Sequence, residues 1–273
     1  MIIQKITIYY DLYPPHSPHL IYPPFLYSLR IRDNSIVDVF WGFGFILIAV
    51  ISFLSSDRWL PQIVVTILIL LWWARIVSHI GLRKLSEKKE DARYAKWREE
   101  WGSGWYFYIR SFLQVYMLQM ILMLVVATAI LVVNLGYIDT PKWLLIWWEI
   151  SYRVVWCMIL GLVVALAWLI FEIIADRQLS EFIRVKKPGE IFVNGLYRYS
   201  RHPNYFGESV FWLGISLNSL PFSYYGLVSF LSITILLVFV SGVPLQEARY
   251  AGRANWEEYK RRTSVFVPWW PSK

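Results

Sequence analysis

Cysteine is all but missing from this chain of 273 residues. Cys157 stands alone in an apolar stretch, so neither a disulfide nor a zinc site built on thiolates can form. Charge is scarce as well: charged residues make up 17% of the chain, against about 25% in an ordinary soluble domain. From Ser209 to Gln246 there is no Asp, Glu, Lys or Arg at all. A soluble fold is thereby excluded. Alternating strand patterns are absent too, and lipid tolerates no open sheet edge, which leaves helices. No Gly-x-Gly-x-x-Gly follows a strand, so a Rossmann domain is excluded. Acid is scarcer than base, 19 residues against 27, and the balance is +8. No nucleic-acid motif accompanies that charge. It reads instead as anchoring to an anionic leaflet and capture of an anionic ligand. The start Met1-Ile-Ile-Gln-Lys lacks the basic-then-apolar order of a cleavable leader, so the first membrane helix is expected to direct insertion.

Apolar side chains fill the space that charge leaves, at 57% of the chain with 16 tryptophans. Charge-free runs at Val39–Ser56, Leu113–Leu135 and Val154–Phe171 are each long enough for a hydrocarbon core of about 30 Å. Trp59–Ala74 extends past Arg75 towards Ile80 as another span. The run after Glu208 would be nearly twice the bilayer core as one helix, so it folds back at Asn218, Ser219, Pro221 and Ser223. The expected fold is an all-α integral membrane protein, a polytopic bundle of about six transmembrane helices with a cytoplasmic-side cofactor pocket. The helices are predicted at 36–55, 60–80, 112–135, 152–175, 205–220 and 224–243. Nearly all Lys and Arg fall in the N-terminal tail, the loops near 81–111 and 177–204, and the tail after 244. Only Arg58 and Lys142 lie in the intervening turns, which predicts cytoplasmic termini.

Residues 1–35 read as a proline-broken lead-in rather than a helix, with Pro14, Pro15, Pro18, Pro23 and Pro24. The transmembrane domain then covers 36–273. His16 and His19 read as loop histidines without further metal ligands. The loop 83–111 alternates charges and aromatics and reads as an interface-anchored connector, with a short surface helix as the alternative.

Acidic and amide groups gather where helices meet the cytoplasmic side. Glu172 and Asp176 are four apart, on one face near the end of the fourth helix. Asn204 and Glu208 repeat that spacing at the start of the fifth. Between them lie Arg184, Lys186, Lys187, Tyr197, Arg198, Arg201, His202 and Tyr205, and Glu247, Tyr259 and Arg262 follow the sixth. Arginines can bind phosphates bidentately, acids can accept from ribose hydroxyls, and tyrosines can stack on rings, a set that suits a phosphorylated nucleotide. Helix capping and charge neutralisation are the structural alternative. Asp38 near the start of the first helix reads either as a favoured N-terminal carboxylate or as part of the site. Gln114, Tyr116 and Gln119 are polar groups inside a span, able either to orient a substrate carbonyl or to join helices.

These residues carry a resemblance. The motifs are Ser35-Ile-Val-Asp-Val-Phe-Trp-Gly, Arg93-Tyr94, Trp101-Gly102, the glutamines at 114 and 119, Ala175-Asp176-Arg177-Gln178-Leu179, Gly195 to Glu208, Ser241-Gly242-Val243-Pro244-Leu245 and Tyr259 to Pro268. In this order they resemble the bacterial DUF1295 family, within the steroid 5-alpha-reductase C-terminal domain superfamily. The resemblance implies a membrane-embedded enzyme that binds NADPH at its cytoplasmic side and reduces a carbon–carbon double bond conjugated to a ketone. It implies cofactor contacts at Asn204, Glu208 and Asp176, with Glu172 standing where the family has an amide. Arg198, Arg201 and His202 fall in its basic motif, and Tyr259 and Arg262 in its cofactor-closing tail. The reductases also carry a Glu in an early helix and a Tyr that polarise the ketone; no motif here aligns with either, and they have seven spans.

The first functional expectation is therefore an NADPH-dependent reductase of a lipophilic substrate in the bacterial inner membrane. Asp38, Tyr116 and Gln119 are the candidate catalytic groups. The second is an S-adenosylmethionine-dependent lipid or isoprenylcysteine-type methyltransferase, which the Arg-His-Pro-x-Tyr-x-Gly segment also resembles. The third is a non-catalytic lipid-binding protein. Partners are the apolar substrate and membrane lipids, with no nucleic acid and no metal; the chain does not disclose its oligomeric state.

Overall fold

A computed structural model describes residues 22–77, 90–136, 152–253 and 255–272. His16, His19, the end of the expected 60–80 helix, Arg83–Lys89 and Lys142 lie outside the described residues. Among the described residues the fold is all-helical, and the only strand-like feature is one isolated parallel bridge, Ser200 to Ser264. Four helical stretches are long and apolar enough to cross a membrane: Asn34–Leu54, Trp105–Val126, Tyr152–Val185 and Tyr224–Ala248. Their apolar faces are turned outward. In the third of them only 17% of the apolar window is buried, leaving Leu160, Val163 and Ile170 more than half exposed. A protein in water does not expose such a surface, whereas lipid tails solvate it.

The chain divides into two compact units, Met1–Gly44 with Ile76–Met123, and Phe45–Arg75 with Leu124–Lys273. In the first unit, α1 (Tyr22–Ile31) corrects the expected non-helical lead-in. Pro23 and Pro24 sit in its opening turn, where backbone N–H groups have no intrahelical acceptor to lose. A turn at Asn34–Ile36 leads into α2 (Val37–Leu54). The connector contains two helices, α4 (Ala92–Trp101) and α5 (Trp105–Arg110), so the helical alternative is the one found, in two pieces. Val37, Tyr94, Val115 and Tyr116 form its buried core, with Phe25, Trp97 and Trp101 packed around them. After α5 a π-helical turn (Ser111–Met117) runs into α6 (Leu118–Val126). The expected helix 112–135 thus starts earlier and is broken at Ala127 before α7 (Thr128–Leu135).

The second unit holds α3 (Leu60–Ile76, as far as Arg75), α7, α8 (Tyr152–Val185), α9 (Pro203–Ser219), α10 (Leu227–Ile235), α11 (Val243–Ala248) and α12 (Trp256–Arg262). Helix α8 continues ten residues past the expected end at 175. Residues 176–185 carry charge but no Pro or Gly, so nothing in the backbone stops the helix. The long charge-free run does fold back where expected: α9 ends at Ser219 and helix resumes after a turn at Tyr224–Gly226. Phe45, Trp72, Phe211 and Trp212, all fully buried, form an aromatic core with ring centroids 5.2–6.1 Å apart.

Candidate functional site

In the second unit a charged cluster is buried between apolar helices. Glu172 and Asp176 sit one turn apart on α8 and converge on the Arg75 guanidinium at the end of α3. Arg75 Nη1 lies 2.5 Å from Glu172 Oε1, and Nη2 pairs with Asp176 Oδ2. From α9, Asn204 Nδ2 donates to Asp176 Oδ1 at 3.4 Å. Glu208, one turn further along α9, lies within electrostatic reach of Arg75 and Asp176. Glycine makes this meeting possible, because a Cβ on Gly207 would come within 3.1 Å of the Glu172 Cβ. One guanidinium therefore faces three carboxylates. Glu172 is 1% exposed, and its Oε2 has no hydrogen-bond partner among the described residues. A buried acceptor in that state lacks the donor that offsets its desolvation.

The loop before α9 is fastened to the C-terminal segment. Arg201 Nε donates to Glu247 Oε1 at 2.8 Å, and Nη1 donates to the carbonyls of Lys260 (2.6 Å) and Thr263 (3.2 Å). Arg201 is thus engaged in holding the tail. His202 lies 3.3 Å from the same Glu247 oxygen and stacks on Tyr205 with ring centroids 5.4 Å apart. Burial pushes the imidazole down to about 4, more than the Glu247 carboxylate restores, so His202 is neutral at physiological pH. Tyr259 donates its hydroxyl to the Tyr197 carbonyl at 2.6 Å. Burial raises the pKa of both phenols, with Asp176 adding to the effect at Tyr197.

A different network occupies the first unit. Tyr94 donates its hydroxyl to Asp38 Oδ1 at 2.8 Å and accepts from Gln119 Nε2 at 3.1 Å. Arg93 Nη2 reaches the other Asp38 oxygen at 3.1 Å. Burial raises the pKa of the Tyr94 phenol, and the adjacent Asp38 carboxylate raises it further. Burial opposes the charge on Arg93, yet Asp38 and Asp91 together hold its pKa above the ordinary value. Behind this relay, Arg98 grips Glu90 with two 2.9 Å bonds, and Glu90 accepts the backbone N–H of Asn34 at 2.8 Å. That clamp ties α4 to the entry of α2.

Over residues 24–263 the sequence matches the family described as "Protein of unknown function (DUF1295)". The chain belongs to the DUF1295 family. No curated protein and no solved structure matches it at a significant level. Of the residues singled out in this DUF1295 chain, Glu172, Asp176, Asn204 and Glu208 come together. Arg201, His202, Tyr197, Tyr205 and Tyr259 line the neighbouring tail junction. Arg184 and Arg198 are exposed, and Arg262 pairs on the surface with Glu258 at 2.9 Å. Asp38 and Gln119 share the relay, while Tyr116 packs in its core against Phe25. Gln114 turns to Arg110 instead, at 3.0 Å. Two central residues, Arg75 and Tyr94, are not among those the sequence singles out. Arg75 had one available signal, a lone cation at the end of an apolar run; Tyr94 had its place in the Arg93-Tyr94 motif.

Proposed function

We propose that this chain is a membrane-embedded reductase that takes NADPH and reduces a polarised carbon–carbon double bond in a lipophilic substrate. The observation that carries the reading is the buried, unpartnered Glu172 Oε2 in a cluster where carboxylates outnumber the cation. Such acceptors suit ribose hydroxyls and the amide N–H groups of a nicotinamide carboxamide. Asp176, Asn204 and Glu208 complete that polar wall. Phosphates would fall to exposed cations beyond it, Arg184, Lys186, Lys187 and Arg198, since Arg201 is engaged by the tail. NADPH, when bound, supplies a hydride. Such a reaction also needs a hydrogen-bond donor for the substrate oxygen on which negative charge develops. Among the candidate catalytic groups Gln119 suits that role, since its Nε2 carries two N–H groups and gives one to the Tyr94 hydroxyl, whereas the single O–H of Tyr94 is already given to Asp38.

The reading includes six crossings with cytoplasmic termini. Helices α3 and α9, of 17 residues each, supply the two beyond the four long ones. At 1.5 Å per residue each reaches about 25 Å, slightly short of a typical core. The concentration of Lys and Arg in alternate loops supports the orientation.

One observation favours a second reading. A carboxylate-rich cluster also suits a cation, and S-adenosylmethionine carries a sulfonium, so a lipid methyltransferase is the alternative. Thermal unfolding of the detergent-purified protein separates the two, because only a ligand that binds the folded state stabilises it. At 100 times the Kd the gain is about 2.7 kcal/mol. A shift with NADPH and none with S-adenosylmethionine is expected, and the reverse pattern would replace the reductase by the methyltransferase.

Gln119→Leu tests the donor. With enone lipids as substrates, followed by loss of NADPH absorbance, kcat is expected to fall about 100-fold or more, with cofactor affinity unchanged. An unaltered kcat would remove Gln119 from the chemistry.

A further inference from the structure

The C-terminal segment folds into a fixed surface that neither cluster uses. Beyond α12 the chain lies along Tyr199–Arg201: the Arg201 N–H donates to the Ser264 carbonyl at 2.8 Å, Ser200 Oγ to the Phe266 carbonyl at 2.8 Å, and the Trp269 N–H to the Tyr199 carbonyl at 2.9 Å. It then turns back, and the Ser272 N–H donates to the Arg262 carbonyl at 3.0 Å. This double fastening holds two adjacent indoles outward, Trp269 70% and Trp270 76% exposed. The charges of α12 are segregated along its length. Glu257 and Glu258 occupy its first turn, whereas Lys260, Arg261 and Arg262 form its last turn, beside the indoles.

The height of this surface is set by its anchors. Tyr199 and Ser200 stand a few residues before Pro203, where apolar α9 begins, and Arg201 bonds Glu247, one residue before the end of the last long apolar stretch at Ala248. The tail therefore lies level with the ends of two apolar helices, where hydrocarbon gives way to headgroups. Indoles are favoured at that boundary, and clustered Lys and Arg beside them are attracted to acidic lipid. A fixed pair of tryptophans next to exposed cations thus matches one partner in both its apolar and its charged halves.

We propose that Trp269 and Trp270, with Lys260 and Arg261, form a docking surface for the headgroups and upper acyl chains of anionic phospholipids. Because the same segment grips Tyr199–Arg201, lipid bound there steadies the loop that leads into α9. The inference does not depend on the reductase reading.

The test is native mass spectrometry of the full-length protein in detergent, titrated separately with phosphatidylglycerol and phosphatidylcholine. The wild type is expected to retain phosphatidylglycerol preferentially. Each cation near an anionic surface is worth about fivefold, so Lys260→Gln with Arg261→Gln weakens the tightest site about 25-fold. Trp269→Ser with Trp270→Ser is expected to weaken it as well. All four side chains are exposed, so both double variants keep the unfolding temperature of the wild type in lipid-free detergent. Equal retention of the two lipids by the wild type, or undiminished phosphatidylglycerol retention in both double variants, would overturn the proposal.

Discussion

Arg75→Met is expected to cause one of the largest losses of stability of any single substitution in this chain. The guanidinium is the cation between Glu172 and Asp176, and the two carboxylates are 1% and 5% exposed. Removing one partner of a buried ion pair leaves the others charged and unpaired in low dielectric, at a cost of about 3–5 kcal/mol. For a chain of this size that corresponds to a fall of roughly 10 °C in the unfolding temperature. The double variant Arg75→Met with Glu172→Gln removes a charge of each sign and recovers part of the loss. Thermal unfolding in detergent, read by the fraction remaining monodisperse, gives all three values. An Arg75→Met protein as stable as the wild type would show that the cluster is not electrostatically closed.

The second large effect is expected at Gly214. Helices α8 and α9 share the most extensive helix contact in the second unit, and they touch backbone to backbone. A Cβ on Gly214 would come within 2.6 Å of the Ala165 N and 2.7 Å of the Gly161 carbonyl oxygen, neither of which can swing aside. Small residues at such crossings let membrane helices approach closely, and without a hydrophobic drive between helices that packing is what holds them. Gly214→Ala is expected to cost about 1–3 kcal/mol, and Gly214→Leu enough to prevent a folded product. Because Glu172 on α8 and Glu208 on α9 are carried by the same two helices, any separation also loosens the charged cluster. Leu166→Ala, on the exposed face of α8, serves as the control and leaves stability nearly unchanged. A Gly214→Leu protein that purifies and melts like the wild type would contradict the close crossing.

Spacing made one part of the charged cluster legible. Glu172 with Asp176, and Asn204 with Glu208, are four apart on helices, and helical geometry alone puts each pair on one face. Their common partner was not legible, since Arg75 lies 101 residues from Asp176 and no local rule joins them. Tyr94 was hidden for the same reason, being 56 residues from Asp38 and 25 from Gln119. Arg201 looked like a phosphate ligand because its three acceptors, Glu247 and the carbonyls of Lys260 and Thr263, come from 46 or more residues away. Apolar runs located the membrane helices, and the Ser219–Ser223 break was readable from its turn residues. Helix ends were harder. Charge marks where a helix leaves lipid, not where it stops, so α8 ran on to Val185. The π-helical turns at Ser111–Met117 and Leu236–Val240 carry no pattern that separates them from ordinary α-helix.

The central claim, that the polar wall around Glu172 holds a nicotinamide dinucleotide, meets its most direct test in a fluorescence titration of the purified full-length protein with NADPH, beside Glu208→Gln. Saturable enhancement of nicotinamide emission is expected for the wild type, with affinity weakened about tenfold by the substitution, the effect of losing one charge-assisted hydrogen bond. Absence of any saturable signal from folded wild-type protein at millimolar NADPH, or equal affinity in Glu208→Gln, would contradict it.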